Sequence, residues 1–299
     1  MERHNRIHWV KGLDITPEIF IEADNYHVAE RSLLGRFFAS RLYGILSERK
    51  FHIRKRIDTY TFTLFIDDLE CLAITSDGYV INIQKDTPFN KEVSLKEAIG
   101  KELYVVLKVN PYTLTPVDEK ELYVGPKYNF VLKRMEETIE NGIPVLKIYY
   151  DNDKQCWEID NTYIPPSIAL NSVDILKEQY YEIKDKLNHI VEKLPEDDMT
   201  CMQTLFLKWE LDNYCLQESP QELTLLLKKI CWMLKLYLKS AKRMEELPGI
   251  KRFIEEQYNP NDIGKILHLG FESLIEIDQK IGEKPKEVVV PTEIEEIIV

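Results

Sequence analysis

The stretch Cys156-Trp157-Glu158-Ile159-Asp160-Asn161-Thr162-Tyr163-Ile164-Pro165-Pro166-Ser167-Ile168-Ala169-Leu170-Asn171-Ser172 separates two kinds of sequence pattern. Upstream, apolar residues mostly alternate, the period of a half-buried strand. Downstream, they recur every three or four residues, the period of a helix. Pro165 and Pro166 lack the N–H that a helix interior or a central strand requires, so the pair predicts a rigid extended connector. Asn171 offers a helix N-cap, with Asp174 placed to complement the first turn. The expected fold class is α+β in two domains: an antiparallel β-sandwich over 1–166 and an α-helical bundle over 167–282. A charged tail follows over 283–299.

Moving back from the prolines, Val145–Tyr150 and Gln155–Ile159 flank Asp151-Asn152-Asp153-Lys154, a hairpin signal. Leu69–Thr75 and Tyr79–Ile83 flank Ser76-Asp77-Gly78, a second one. Tyr60, Phe62, Leu64 and Ile66 alternate with Thr59, Thr61, Thr63 and Phe65, which predicts a strand from Asp58. Leu103–Val109, Leu122–Val124 and Phe130–Lys133 are further strands. The first fifty residues are mixed: a short strand at Ile7-His8-Trp9-Val10, a turn or helix start at Thr16-Pro17-Glu18, and partial helical character from Asp24 to Leu46. Many short strands with regular turn signals favour a sandwich over a parallel sheet.

Moving forward, Val173, Leu176, Tyr180, Ile183, Leu187, Ile190 and Leu194 are spaced 3-4-3-4-3-4. That is an a/d seam, with Lys and Glu on the other faces. Spacing leaves two readings open: a face that meets another copy of the chain, or one that packs on the chain's own second helix. Met199 to Leu216 is apolar on most sides and is expected to be buried. Ser219-Pro220-Gln221-Glu222 is a capping box that starts a helix running to about Glu246. Asn259-Pro260-Asn261-Asp262 starts a last helix, with Ile263, Ile266, Gly270, Leu274, Ile277 and Ile281 inward and Gly282 closing it.

Composition narrows function. The chain has 299 residues and a net charge of −12. Residues 1–160 carry 22 basic and 26 acidic side chains, the rest 17 and 25, so neither half is built to neutralise nucleic-acid phosphates. Five cysteines without a CxxC pair read as reduced thiols of a cytoplasmic protein. Ser47-Glu48-Arg49-Lys50 fits SxxK, and Ser76-Asp77-Gly78 is loosely similar to an SDN element, but no KTG follows. Asp151-Asn152-Asp153 reads as a turn rather than a metal clamp. His4 and His8 lack a third ligand, and no phosphate-binding loop or GxSxG is present. The run from Arg49 to Arg56 reads as a solvated strand face. The expectation is no catalytic residue, no cofactor, no metal and no small-molecule substrate. A β-sandwich enzyme or carbohydrate-binding protein with a helical appendage is the alternative. A concave cluster of Asp, His and aromatic residues would favour it; a long apolar helix face left exposed would favour a binding role.

Two sets of residues resemble one family. The first is Trp9-x-x-Gly12, Pro17-x-x-Phe20, Asp24-x-Tyr26 and Tyr43-Gly44-Ile45. The second is Trp157, Tyr163-Ile164-Pro165-Pro166, Ile168, Ala169-Leu170 and Leu176, with a weaker echo in Pro220, Leu223, Leu227, Tyr258, Asn261-Asp262 and Phe271. In order and spacing they are similar to TssK, the baseplate subunit family of the bacterial type VI secretion system. The resemblance implies a β-sandwich shoulder related to phage receptor-binding proteins, a helical neck and, usually, a C-terminal head, for which the short tail here is too small. It implies a cytoplasmic homotrimer at the inner membrane. It also implies an adaptor whose partners are itself, wedge proteins of the TssF and TssG type, and membrane-complex proteins of the TssL and TssM type. The seam from Val173 to Leu194 is the expected site of self-association.

Overall fold

A computed structural model describes residues 4, 6–39, 42–47, 50–96, 98, 102–116, 124–195, 198–241 and 247–282. The tail over 283–299, Glu48, Arg49, Glu196 and Asp197 lie outside these. The first element is one continuous helix, α1 (Pro17–Ala39), where a turn or helix start at Thr16-Pro17-Glu18 and partial helicity from Asp24 to Leu46 were expected. Pro17 starts it, because its fixed φ suits a first turn. Residues 7–10 form no strand, and Trp9 and Val10 are exposed.

Among the described residues, nine strands make two antiparallel sheets. In the first, β1 (Gly44–Ile45), β2 (His52–Asp58), β4 (Val80–Ile83) and β5 (Glu92–Ser94) all pair with β3 (Thr63–Ile74). In the second, β6 (Glu102–Pro116), β7 (Val124–Arg134), β8 (Gly142–Asp151) and β9 (Cys156–Ile159) run in the order β7-β6-β8-β9. Both expected hairpins are present, with Ile74 opposite Val80 and Asp151 opposite Cys156. The sheets face each other as a sandwich: the Phe89 and Phe130 rings meet edge to face at 6.0 Å, and the Tyr128 hydroxyl lies 3.3 Å from the Asn82 amide nitrogen.

Three features defeat simple alternation. The expected strand from Asp58 begins only at Thr63, because the Asp58 carboxylate accepts from the amides of Tyr60 and Thr61 and turns the chain. Tyr60 is 95% exposed as a result. Within β3 the pairing with β2 slips between Arg54 and Lys55, and Asp67 is the extra residue. That bulge switches the buried set from Leu64 and Ile66 to Leu69, Cys71 and Ala73. Strand β6 does not alternate at all from Leu103 to Leu107, because both its faces are covered. Tyr104 and Val106 pack against Tyr163, while Leu103 lies by Phe130 and Val93.

The remainder is helical: α2 (Asp174–Val191), α3 (Met199–Asp212), α4 (Pro220–Ser240), α5 (Pro248–Glu255), a 3-10 turn at Pro260–Asp262, and α6 (Ile263–Gly282). Asn171 is not the cap of α2, which starts three residues later; its own N–H donates to the Leu216 carbonyl. Asp198 caps α3, accepting from the amides of Thr200 and Cys201. Ser219 accepts from Glu222 at the start of α4 as the capping box requires. Helix α5 was not foreseen. By internal contact the chain forms two compact units. Among the described residues, one lies within 4–181, 214–224 and 257–267, and the other within 182–213, 225–256 and 268–282. Helices α2, α4 and α6 thus contribute their first turns to one unit and the rest to the other.

Candidate interaction surfaces and the strand-to-helix junction

Of the first set of residues that carried the resemblance, Tyr43-Gly44-Ile45 meets the second set in space. Gly44 lies in β1 with φ +129°, and a Cβ there would sit 2.3 Å from the carbonyl carbon and oxygen of Pro166. Only glycine allows that approach. It lets Ile45 N–H donate to the Pro166 carbonyl at 2.7 Å and the Ile168 N–H donate to the Ile45 carbonyl at 3.0 Å. The double proline is therefore stitched to β1 through its carbonyl, the one hydrogen-bonding group a proline backbone retains.

A tyrosine cluster completes the junction. Tyr43 donates to the Asn261 side-chain oxygen at 2.8 Å. The Tyr163 hydroxyl lies 3.0 Å from the Asn261 carbonyl and 3.2 Å from that of Pro144. Burial pushes Tyr43 up to about 12 and Tyr163 well above the ordinary phenol value. Neither ionises near neutrality, so both act as neutral donors. Burial also raises the Asp262 carboxyl, against the pull of Lys147, which itself is paired with Glu102 at 3.0 Å. Asn261 and Asp262, read from sequence only as a weak echo, are central here.

The N-terminal motif residues have a different fate. Trp9 and Phe20 are exposed, with ring centroids 6.3 Å apart. Gly12 sits in a turn at φ +91°. Tyr26 packs edge-on to His27, and Asp24 lines a cavity of about 380 Å³ between α1 and the ends of β4, β6 and β7. Helix α1 is seated by a close glycine pair: a Cβ on Gly78 would lie 2.1 Å from the Ser32 carbonyl oxygen. Phe20, Leu33, Leu34 and Phe37 are exposed along one side of it, and Ile21 is exposed on another.

The seam and the second helix exchange their expected places. Val173, Leu176, Tyr180, Ile183, Leu187 and Ile190 are all buried within one chain, and Leu194 is half-buried. Internal packing, one of the two open readings, is what the chain itself displays, so the stripe is not a free face. Lys186 and Lys193 flank it, each 2.6 Å from Asp278 of α6, and Lys184 lies 3.1 Å from Asp212 of α3. Helix α3, expected to be buried, is not. Only Cys201, Thr204 and Leu211 turn inward, while Met199, Met202, Phe206 and Trp209 are exposed, the last two at 75% and 63%. They follow a 3-4-3 spacing and form one stripe. An exposed apolar stripe of this kind is uncommon on the surface of a monomer.

The remaining candidates settle as local structure. Asp77 of Ser76-Asp77-Gly78 accepts from the Asn141 amide at 2.7 Å and pairs with Arg36, holding the hairpin. Asp151 accepts from Asp153 and Lys154 in its turn. His4 stacks near Tyr112 and faces Glu22, while His8 is exposed. Lys50 pairs with Asp174 at 2.9 Å. Among the described residues no group of three or more His, Cys, Asp or Glu is placed to hold a metal ion, and no helix is long and apolar enough to cross a membrane.

The described residues thus form a two-sheet antiparallel sandwich followed by helices, joined where Gly44 and Ile45 meet Pro166 and Ile168. No family model and no curated protein matches the sequence. Solved structures do match. A chain of the cryo-electron microscopy structure of the type VI secretion system TssK-TssF-TssG baseplate subcomplex is 15% identical, with a TM-score of 0.61 over 93% of this chain and 100% of that one. The crystal structure of TssK is 14% identical, with a TM-score of 0.59 over 95% of this chain and 71% of that one. TssK from the EAEC system, bound to a nanobody, is 13% identical, with a TM-score of 0.60 over 87% and 69%. The chain has a TssK-like fold.

Proposed function

We propose that this chain is a non-catalytic structural subunit of a type VI secretion baseplate. It acts as a trimeric adaptor at the cytoplasmic face of the inner membrane, and binds wedge proteins of the TssF and TssG type and membrane-complex proteins of the TssL and TssM type. In this reading residues 1–166 are the shoulder and 167–282 the neck. The observation that carries it is the match over nearly the whole chain to a component of a TssK-TssF-TssG subcomplex. The exposed stripe on α3 supplies the physics of self-association. Met199, Met202, Phe206 and Trp209 carry no charge, so copies brought together on this stripe meet no charge repulsion from it. The side of α1 on which Phe20, Leu33, Leu34 and Phe37 are solvent-exposed is assigned to the wedge proteins.

Co-expression with the TssF- and TssG-type proteins of the same bacterium tests the partner assignment. The wild-type chain should co-purify with them, and Phe20→Glu with Phe37→Glu should not, while keeping the wild-type circular dichroism spectrum. Failure of the folded wild-type chain to co-purify would contradict the wedge role.

A further inference from the structure

We infer that the outer face of α4 is a docking site for an acidic amphipathic helix of a different protein. This goes beyond the trimer and wedge contacts, which fall on α3 and α1. Along α4 the residues Leu223, Leu226, Leu227, Ile230, Cys231, Leu234 and Leu238 are buried and commit its broad apolar side to the core. On the opposite side Leu225, Lys229, Trp232, Leu236 and Lys239 are all exposed. Their spacing is 4-3-4-3, the geometry of a coiled-coil seam, here turned to solvent.

The chemistry of that seam selects its occupant. The chain as a whole is acidic, at −12, yet residues 225–240 contain four lysines and no Asp or Glu. Lys228 turns inward, donating to the carbonyls of Ile254 and Glu256 and lying over the Phe253 ring. The other three do not. No carboxylate among the described residues pairs with Lys229, Lys235 or Lys239, and Lys235 lies 5.4 Å from the centroid of Trp232. A second copy of α4 is a poor occupant, since two copies of this face would bring only lysines together and supply no carboxylate to pair them. An incoming helix with aliphatic residues in its seam and carboxylates beside it would cover Leu225, Trp232 and Leu236 and pair the lysines. A membrane surface fits less well. Interfacial helices bury a broad apolar face, and α4 has given that face to the core.

The test uses the full chain and two synthetic peptides of three heptads. Both have Leu at a and d; one has Glu at e and g, the other Lys. Titration calorimetry should show binding of the Glu peptide alone, weakening as salt is raised. Trp232→Ala should weaken it about tenfold, as expected for an aromatic anchor. Lys229→Glu with Lys239→Glu should weaken the Glu peptide by about tenfold and admit the Lys peptide, with circular dichroism unchanged. Equal binding of the two peptides, or binding of neither, would overturn the inference. So would binding that appears only after residues 283–299 are removed, which would make the chain's own tail the occupant. Binding of phosphatidylglycerol vesicles without binding of the Glu peptide would overturn it in favour of a lipid surface.

Discussion

Helices α2 and α3 carry apolar residues in comparable density but use them in opposite ways. Helix α2 confines them to one stripe and surrounds the stripe with charge, so a single packed face satisfies it, and Leu176, Leu187 and Ile190 reach 0% exposure. Helix α3 spreads them around its circumference. One bundle can cover only the side bearing Cys201, Thr204 and Leu211, and the surplus stays on the surface. A narrow, well-formed seam is thus a sign of internal packing as much as of association, and the helix with more apolar residues than its own fold can bury is the better guide to a partner. Stability should follow the first helix and association the second.

The sharpest way to break that contrast is Leu187→Asp. A carboxylate at a fully buried seam position should cost about 4 kcal/mol or more and abolish the cooperative helical melt. A variant that melts like wild type and only changes its assembly state would return the seam to an interface role. Next comes the junction. Gly44→Ala introduces a Cβ 2.3 Å from Pro166 at a positive φ, and should lose about 2–3 kcal/mol in denaturant unfolding. A neutral result would mean that β1 and the double proline are not locked together. Tyr163→Phe keeps the ring and removes its hydroxyl from between the Asn261 and Pro144 carbonyls, and about 1–2 kcal/mol should follow.

The smallest effect concerns the edge of the seam. Burial raises the Asp278 carboxyl, but hydrogen bonds from Lys186 and Lys193 outweigh it and hold the group below its ordinary value of 3.8. A depressed carboxylate stabilises the fold above the unfolded-state pKa, and that contribution fades as pH falls through the folded-state value. Asp278→Asn should lose about 1 kcal/mol at pH 7 and flatten the acid limb of the stability curve below pH 4 or so. An unchanged acid limb would mean that the three charges are independent.

Much of this fold could be read from periodicity. The hairpins at Ser76-Asp77-Gly78 and at Asp151–Gln155, the seam of α2 and the inner face of α6 all follow local rules that the structure obeys. What escaped did so for nonlocal reasons. The bulge at Asp67 depends on how β2 pairs, and the turn at Asp58 depends on a side chain capturing two amides, so alternation alone ran straight through both. Helix α5 is eight residues long, short for an amphipathic pattern to register. For the surfaces, composition revealed that α3 is apolar but not whether enough neighbouring structure exists to cover it. The junction was half legible. Gly44 and Pro166 stood out as residue types, while their contact, and the part played by Asn261, required the fold.

The most direct test of the α2–α3 contrast is solution mass by light scattering, on wild type and on Phe206→Glu with Trp209→Glu. Wild type at micromolar concentration should give three times the 35.3 kDa chain mass. The double variant should give one chain mass with the wild-type circular dichroism spectrum. A monomeric wild type, or a variant that still assembles, would contradict the assignment of self-association to α3.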